Sequence, residues 1–281
     1  MPGAPPTSLA PGEPASPVAP VALVTGAARG IGRAVALALA RAGWQLCLLD
    51  ACRPDPALSY PLASLADLHA SAAACAETGS RVLARPVDVR DQQSLREAVS
   101  DISTAFGRLD AVVAAAGALA GGPPLWELAD EQWTAMVEIN LAGVFRTLRA
   151  ALPAMLASPP PRRGRVVVLA SAASSVGLPR LGAYAAAKHG VVGLVKSLAI
   201  ELAGTGITAN CVAPGTTATV LADASAAVYG LTDPAELAQH HAEPRLLEPA
   251  EVAALVAWLC GPEASGVTGA LLPCDLGMTA R

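Results

Sequence analysis

Val21-Ala22-Leu23-Val24-Thr25 runs straight into Gly26-Ala27-Ala28-Arg29-Gly30-Ile31-Gly32, and the fold of the chain is decided at that junction. The first five residues are an apolar run of strand length. Ile31, Val35 and Leu39 then recur at the spacing of one helix face. The glycines between follow G-x-x-x-G-x-G. Glycine lets the backbone turn tightly and approach a ligand, and a helix N-terminus offers an anion free N–H groups and a favourable dipole. A strand before the loop and a helix after it separate a nucleotide-binding turn from a chance cluster of glycines.

The same alternation extends outward. Gln45–Leu49 is a strand candidate ending at Asp50, and Arg81–Val87 is another ending at Asp88. Ala111–Ala116 and Arg165–Ala170 are apolar without alternation, as strands covered on both faces are. Ile207–Ala213 and Ala270–Pro273 bring the count to seven, with helix patterns between. This predicts an α/β fold: a single Rossmann domain over residues 19–281, with a doubly wound parallel sheet of about seven strands and helices on both faces. Residues 1–18, rich in Pro and Ala, read as a disordered tail. Two stretches break the rhythm, one over about 51–68 with Pro54, Pro56 and Pro61, the other over about 216–249. Ligands in such sheets lie beyond the carboxyl ends of strands, so both stretches are placed to cover one, the second as a substrate lid.

Composition narrows the function. Hydrophobic residues make up 53% and charged residues 15%, ample for a large core. The net charge of −4, with no basic block, excludes the electrostatic footprint of a nucleic-acid binder. No apolar run reaches the roughly 18 residues of a membrane span. The six cysteines show no C-x-x-C pair, and Cys47 and Cys211 lie in apolar runs, which fits reduced thiols and a cytoplasmic location. The four histidines show no zinc spacing, so no metal is expected, and His240 and His241 in a polar stretch read as solvated.

Asp50 ends the second strand, where a carboxylate accepts hydrogen bonds from ribose hydroxyls and repels a 2′-phosphate, favouring NAD over NADP. Asp88-Val89 stands at the corresponding place after the third strand. Tyr184 and Lys188, four apart in a helix pattern, share one face. A free tyrosine, with a pKa of about 10, is a poor base at neutral pH, and a neighbouring ammonium favours tyrosinate. Ser171 follows the strand Arg165–Ala170 with a hydroxyl available to a substrate oxygen. Asn140 falls on the stripe Trp133, Val137, Asn140, Val144, Leu148 of a long helix, where an amide needs a partner.

Together these residues resemble the short-chain dehydrogenase/reductase family from about Val21 to the C-terminus. T-G-A-A-R-G-I-G, Asp88-Val89, Asn140, Ser171, Y-A-A-A-K at 184–188 and Pro214-Gly215 occur in the family's order. The resemblance implies that Tyr184 is the general acid/base, that Lys188 lowers its pKa and binds the nicotinamide ribose, that Ser171 holds the substrate oxygen, and that Asn140 supports a water relay. It implies cofactor contacts at Gly26, Arg29, Gly30, Ile31, Gly32, Asp50, Asp88, Val89, Ala115 and Gly117. Asn140, Tyr184 and Lys188 join them, and Pro214, Gly215, Thr217 and Thr219 hold the nicotinamide end. It also implies a homotetramer acting on a small-molecule alcohol or ketone.

Two departures stand out: Ala114-Ala115-Ala116-Gly117 where the family reads N-N-A-G, and Asp275-Leu276-Gly277 where it reads D-G-G. The stretch Leu48–Leu68, together with A-A-A-G, V-Y-G-L-T-D and R-L-L-E-P-A-E-V-A, resembles the mycofactocin-coupled members. That narrower likeness implies NAD held without exchange and mycofactocin as external electron carrier. Two other readings share these motifs: a reductase of the 3-oxoacyl type with exchangeable NAD(P)H, and a non-catalytic NAD-binding redox sensor.

Overall fold

Seven strands form where the apolar runs lie: β1 (Val21–Thr25), β2 (Gln45–Asp50), β3 (Val82–Pro86), β4 (Ala111–Ala114), β5 (Arg165–Leu169), β6 (Thr208–Pro214) and β7 (Leu271–Cys274). The structure, a computed structural model, describes residues 19–280. The tail expected over 1–18 lies outside the described residues. All neighbouring strands pair in parallel, in the order β3-β2-β1-β4-β5-β6-β7. The chain grows outward from β1 through β2 to β3, then crosses to β4 on the other side. That reversal opens a crevice beyond the carboxyl ends of β1 and β4, where ligands of such sheets bind.

Eight helices cover the sheet: α1 (Gly30–Arg41), α2 (Leu65–Ala76), α3 (Gln92–Phe106), α4 (Asp130–Val137), α5 (Gly143–Ala157), α6 (Gly182–Glu201), α7 (Val220–Tyr229) and α8 (Pro249–Cys260). Alternate strand residues feed two cores. Val21 and Leu23 face Leu95, Ile102, Leu148 and Val195 of α3, α5 and α6. Ala22 and Val24 face Val35, Leu39, Leu68 and Val256 of α1, α2 and α8. Each fully buried leucine among them contributes about 1.5–3 kcal/mol. A third cluster, above the sheet, joins Leu119, Met136, Leu181 and Tyr184 to Leu221 and Val228 of α7.

Helix ends follow local chemistry. Asp91 caps α3 through the Gln93 and Ser94 N–H groups, and Gly107, at φ +74, closes it. Ser64 and Asp67 form a reciprocal capping box on α2. The irregular part of the stretch after β2 therefore ends at Ser64, and the last four residues of the expected 51–68 insertion belong to α2. The long helix expected around Asn140 is three pieces, α4, a π-helical turn over Glu138–Ala142, and α5. One extra residue in a turn rotates the face by about 100°. Trp133, before that turn, is consequently 44% exposed, whereas Asn140, Val144 and Leu148 are buried.

Candidate active site

A cavity of about 630 Å³ opens beyond the carboxyl ends of β1, β4, β5 and β6, and every candidate catalytic and cofactor-binding residue read from the sequence lines it. The chain returns to one place residues as distant as Gly26 and Thr219.

One end is built by the β1–α1 junction. A Cβ on Gly32 would come within 2.0 Å of the Gly26 carbonyl oxygen, and one on Gly26 within 2.8 Å of the Ala116 backbone, so neither position admits a side chain. Arg29 begins α1 without a side-chain cap, and no acidic residue occupies the first turn. The helix therefore presents unsatisfied N–H groups and its positive end to the cavity, a fit for a pyrophosphate. Asp50 accepts a hydrogen bond from the Ala28 N–H at 3.1 Å and lines the same wall. Asp88 lines the cavity as well, and the protein itself engages its carboxylate. Its carboxylate takes hydrogen bonds from Arg53 and Arg90, at 2.6 and 2.7 Å. Burial alone would raise its pKa, but these two guanidinium groups outweigh burial and hold it well below the usual carboxylate range.

The segment 51–64 lies across this end and is pinned at several points. Arg53 pairs with Asp88, and Asp55 with Arg90 at 2.7 Å. The Arg29 guanidinium donates to the Pro61 carbonyl at 2.6 Å. The Tyr60 hydroxyl accepts from the Leu119 N–H at 2.9 Å, beyond β4. Leu62 and Ala63 line the cavity.

The other end gathers the proton-handling residues. The buried Lys188 Nζ donates to the Leu169 carbonyl at the end of β5, at 2.7 Å, and sits 5.8 Å from the Tyr184 ring centre. Burial brings Lys188 down to about 8. Burial also pushes the Tyr184 phenol above its ordinary value, with the Ser171 hydroxyl beside it working the other way. The protein alone thus does not make Tyr184 the more acidic group that the sequence led one to expect: the ring is desolvated, and Lys188 spends its proton on a backbone carbonyl. Asn140 is fully buried. Its amide donates to the Ala118 and Met136 carbonyls at 2.9 and 3.0 Å and accepts from the Ala118 N–H at 3.2 Å. A Cβ on Gly117 would meet both Asn140 Oδ1, at 3.1 Å, and Lys188 Nζ, at 3.6 Å, so Gly117 lets these groups converge.

The departures from the family pattern have structural answers. Thr25 Oγ1 accepts from the Ala115 and Ala116 N–H groups, both at 3.2 Å, so the A-A-A-G loop is held through its backbone. Leu276 takes φ +50, a left-handed conformation that glycine adopts more readily, and Asp275 ties the turn through the Gly277 and Thr279 N–H groups.

Leu119, Leu178, Leu181 and Met278 also line the cavity and were not singled out. Isolated apolar residues in loops carry no periodic signal, so only the folded chain reveals them. His241 corrects the sequence reading: it is 3% exposed, not solvated. Its neighbour His240 is exposed. Cys47 and Cys211 are buried and free, with their thiols pushed up to about 12 by burial. Among the described residues no helix is long and apolar enough to cross a membrane, and no group of three or more His, Cys, Asp or Glu is placed to hold a metal ion.

A parallel sheet in this order, with a glycine loop at its switch point and a Tyr-x-x-x-Lys helix beside it, defines a dinucleotide-dependent oxidoreductase class. Residues 26–279 match the family model described as enoyl-(acyl carrier protein) reductase. The chain is 40% identical over 269 residues to an uncharacterized NAD-dependent oxidoreductase of Mycobacterium tuberculosis, covering 92% of this chain and 94% of that one. It is 34% identical to (-)-trans-carveol dehydrogenase of Rhodococcus erythropolis, over 93% of this chain and 98% of that one. The crystal structure of carveol dehydrogenase from Mycobacterium avium in complex with NAD superposes with a TM-score of 0.89 at 34% identity, over 94% of this chain and 99% of that one. The chain belongs to the short-chain dehydrogenase/reductase family and is an oxidoreductase of that family.

Proposed function

We propose that this protein is an NAD-dependent dehydrogenase that interconverts a hydrophobic secondary alcohol and its ketone. The observation that carries the reading is the convergence of Ser171, Tyr184 and Lys188 at one end of a cavity whose other end is the uncapped start of α1. Asp50 on the wall favours NAD over a 2′-phosphorylated nucleotide. The leucines around Tyr184 and the NAD-bound carveol dehydrogenase relative support a compact, apolar substrate.

NAD, when bound, supplies the hydride acceptor and, in its oxidised form, a positive charge. The chain's residues do the rest. Tyr184 Oη takes the proton of the substrate hydroxyl in oxidation and returns it in reduction. Ser171 Oγ holds the substrate oxygen beside it. Lys188 binds the nicotinamide ribose and, when protonated, favours tyrosinate. Asn140 fixes the loop after β4 and adjoins Lys188, where a water relay would end. Pro214, Gly215, Thr217 and Thr219 border the nicotinamide end. α7 closes the substrate side, since the Tyr229 hydroxyl donates to the Pro179 carbonyl at 3.0 Å.

The narrower reading is that NAD stays captive and that mycofactocin, as an external carrier, removes the electrons. The pinned segment 51–64 supports it, because nucleotide release requires those contacts to open. The family resemblance carries the homotetramer, and exposed Trp133, Phe145 and Trp258 on α4, α5 and α8 leave apolar surface available to it. Tyr184→Phe should keep nucleotide binding and fold while lowering turnover by more than about a hundredfold. Comparable turnover in that variant overturns the mechanism. Captivity is tested by desalting the protein, denaturing it and quantifying the nucleotide released. Close to one NAD(H) per chain supports it, and little or none favours an exchanging dehydrogenase.

A further inference from the structure

His241 is a buried histidine that the proposed chemistry does not use. It lies in the chain between α7 and α8, yet its ring is inserted behind the Gly215–Thr219 segment that lines the cavity. Nδ1 is 2.6 Å from the Arg245 carbonyl oxygen and Nε2 is 3.1 Å from the Thr216 nitrogen. Only one protonation state satisfies both contacts. Nδ1 must carry a hydrogen to meet a carbonyl, and Nε2 must be bare to accept from an N–H. That is the neutral ring in a single tautomer.

The neighbouring backbone makes this ring the clamp of the segment. A Cβ on Gly215 would come within 3.0 Å of Nε2, so the imidazole packs directly against that glycine. The Leu247 N–H donates to the Thr216 carbonyl at 3.0 Å, and the Ala218 N–H to the Leu247 carbonyl at 2.8 Å. The segment is therefore stitched to residues 245–247, and His241 bonds both sides of the stitch. We infer that His241 is a positioning residue for the cofactor, holding the Thr216 backbone so that Gly215, Thr217 and Thr219 grip the nicotinamide end. The inference rests on the NAD-binding reading above.

The test measures NAD dissociation from the full-length protein by stopped-flow or retention after gel filtration, at about pH 8. His241→Leu should speed release by about tenfold, because the partly buried Thr216 N–H loses its acceptor. His241→Gln, whose side-chain oxygen can accept from Thr216, should restore slow release. Equal release from wild type and His241→Leu, or release from His241→Gln as fast as from His241→Leu, overturns the inference while leaving NAD binding intact. Should His241→Leu fail to fold, His241→Phe, which keeps a ring there without its acceptor, takes its place in both comparisons. A wild type that binds no NAD overturns the parent reading, and the inference with it.

Discussion

Lys188 shows how far one buried residue reaches into both stability and chemistry. Burial lowers it from an ordinary 10.5 to about 8. Between those values the unfolded chain binds more protons than the folded one, so this group's contribution to stability rises with pH across that window. Lys188→Met removes the contribution. The difference in unfolding free energy, wild type minus variant, should therefore climb from pH 7.5 to 10 in urea titrations, and a flat difference contradicts the assignment. The same substitution should abolish turnover. Thr25 illustrates a quieter dependence. It alone provides the acceptor for two N–H groups of the loop where the family has asparagines. Thr25→Val, nearly isosteric, should cost about 1 kcal/mol by chemical denaturation, the penalty of leaving two partly buried donors without their protein acceptor.

At the scale of elements, the segment between β2 and α2 behaves as a strap. Its two ion pairs differ in kind. The Arg53 side chain is 61% exposed, so its pair with Asp88 is screened by solvent and weak. The Asp55 side chain is 5% exposed, and removing its charge leaves Arg90 short of a partner. Asp55→Asn should accelerate NAD release by about tenfold, and Arg53→Ala by no more than about twofold. Dissociation rates for the two variants check the ranking; a reversed order means the strap is held from Arg53. Capping also belongs to this scale. Asp91→Ala should cost about 1 kcal/mol of stability without touching the cavity, since Asp91 satisfies two N–H groups at the start of α3.

Across the whole molecule, the sheet order explains why the cavity holds residues from Gly26 to Met278. Parallel strands send every connection past the same edge, and the reversal between β1 and β4 leaves a crevice there. Two covers meet over it, the strap from one side and α7 from the other. Their apolar residues join one cluster: Ala57 and Leu58 of the strap, Leu221 and Val228 of α7, both packed with Tyr184 and its neighbours. The outer faces of α4, α5 and α8 leave aromatic rings in solvent. With the tetramer that the family resemblance implies, light scattering should give four times the mass of one chain, and a monomer in solution removes the proposed tetramer.

The periodicity of apolar runs, the glycine junction after Val21–Thr25 and the four-residue step from Tyr184 to Lys188 determined the fold class, the strand positions and the membership of the cavity. These signals are local: a run of β-branched residues, a positive-φ glycine and a shared helix face are each settled by neighbours in the chain. What lay between distant residues was decided only by the tertiary structure. The sequence placed Asp88 beside the ligand, and only the fold added Arg53 and Arg90 as its partners. Two adjacent histidines looked alike in a polar stretch, and folding left His240 in solvent while burying His241 behind Gly215. Tyr184 and Lys188 were legible as a pair, but the direction of their shifts was not. Burial and hydrogen-bond partners arise from packing between segments far apart in sequence, and desolvation, unlike helix spacing, has no local signature.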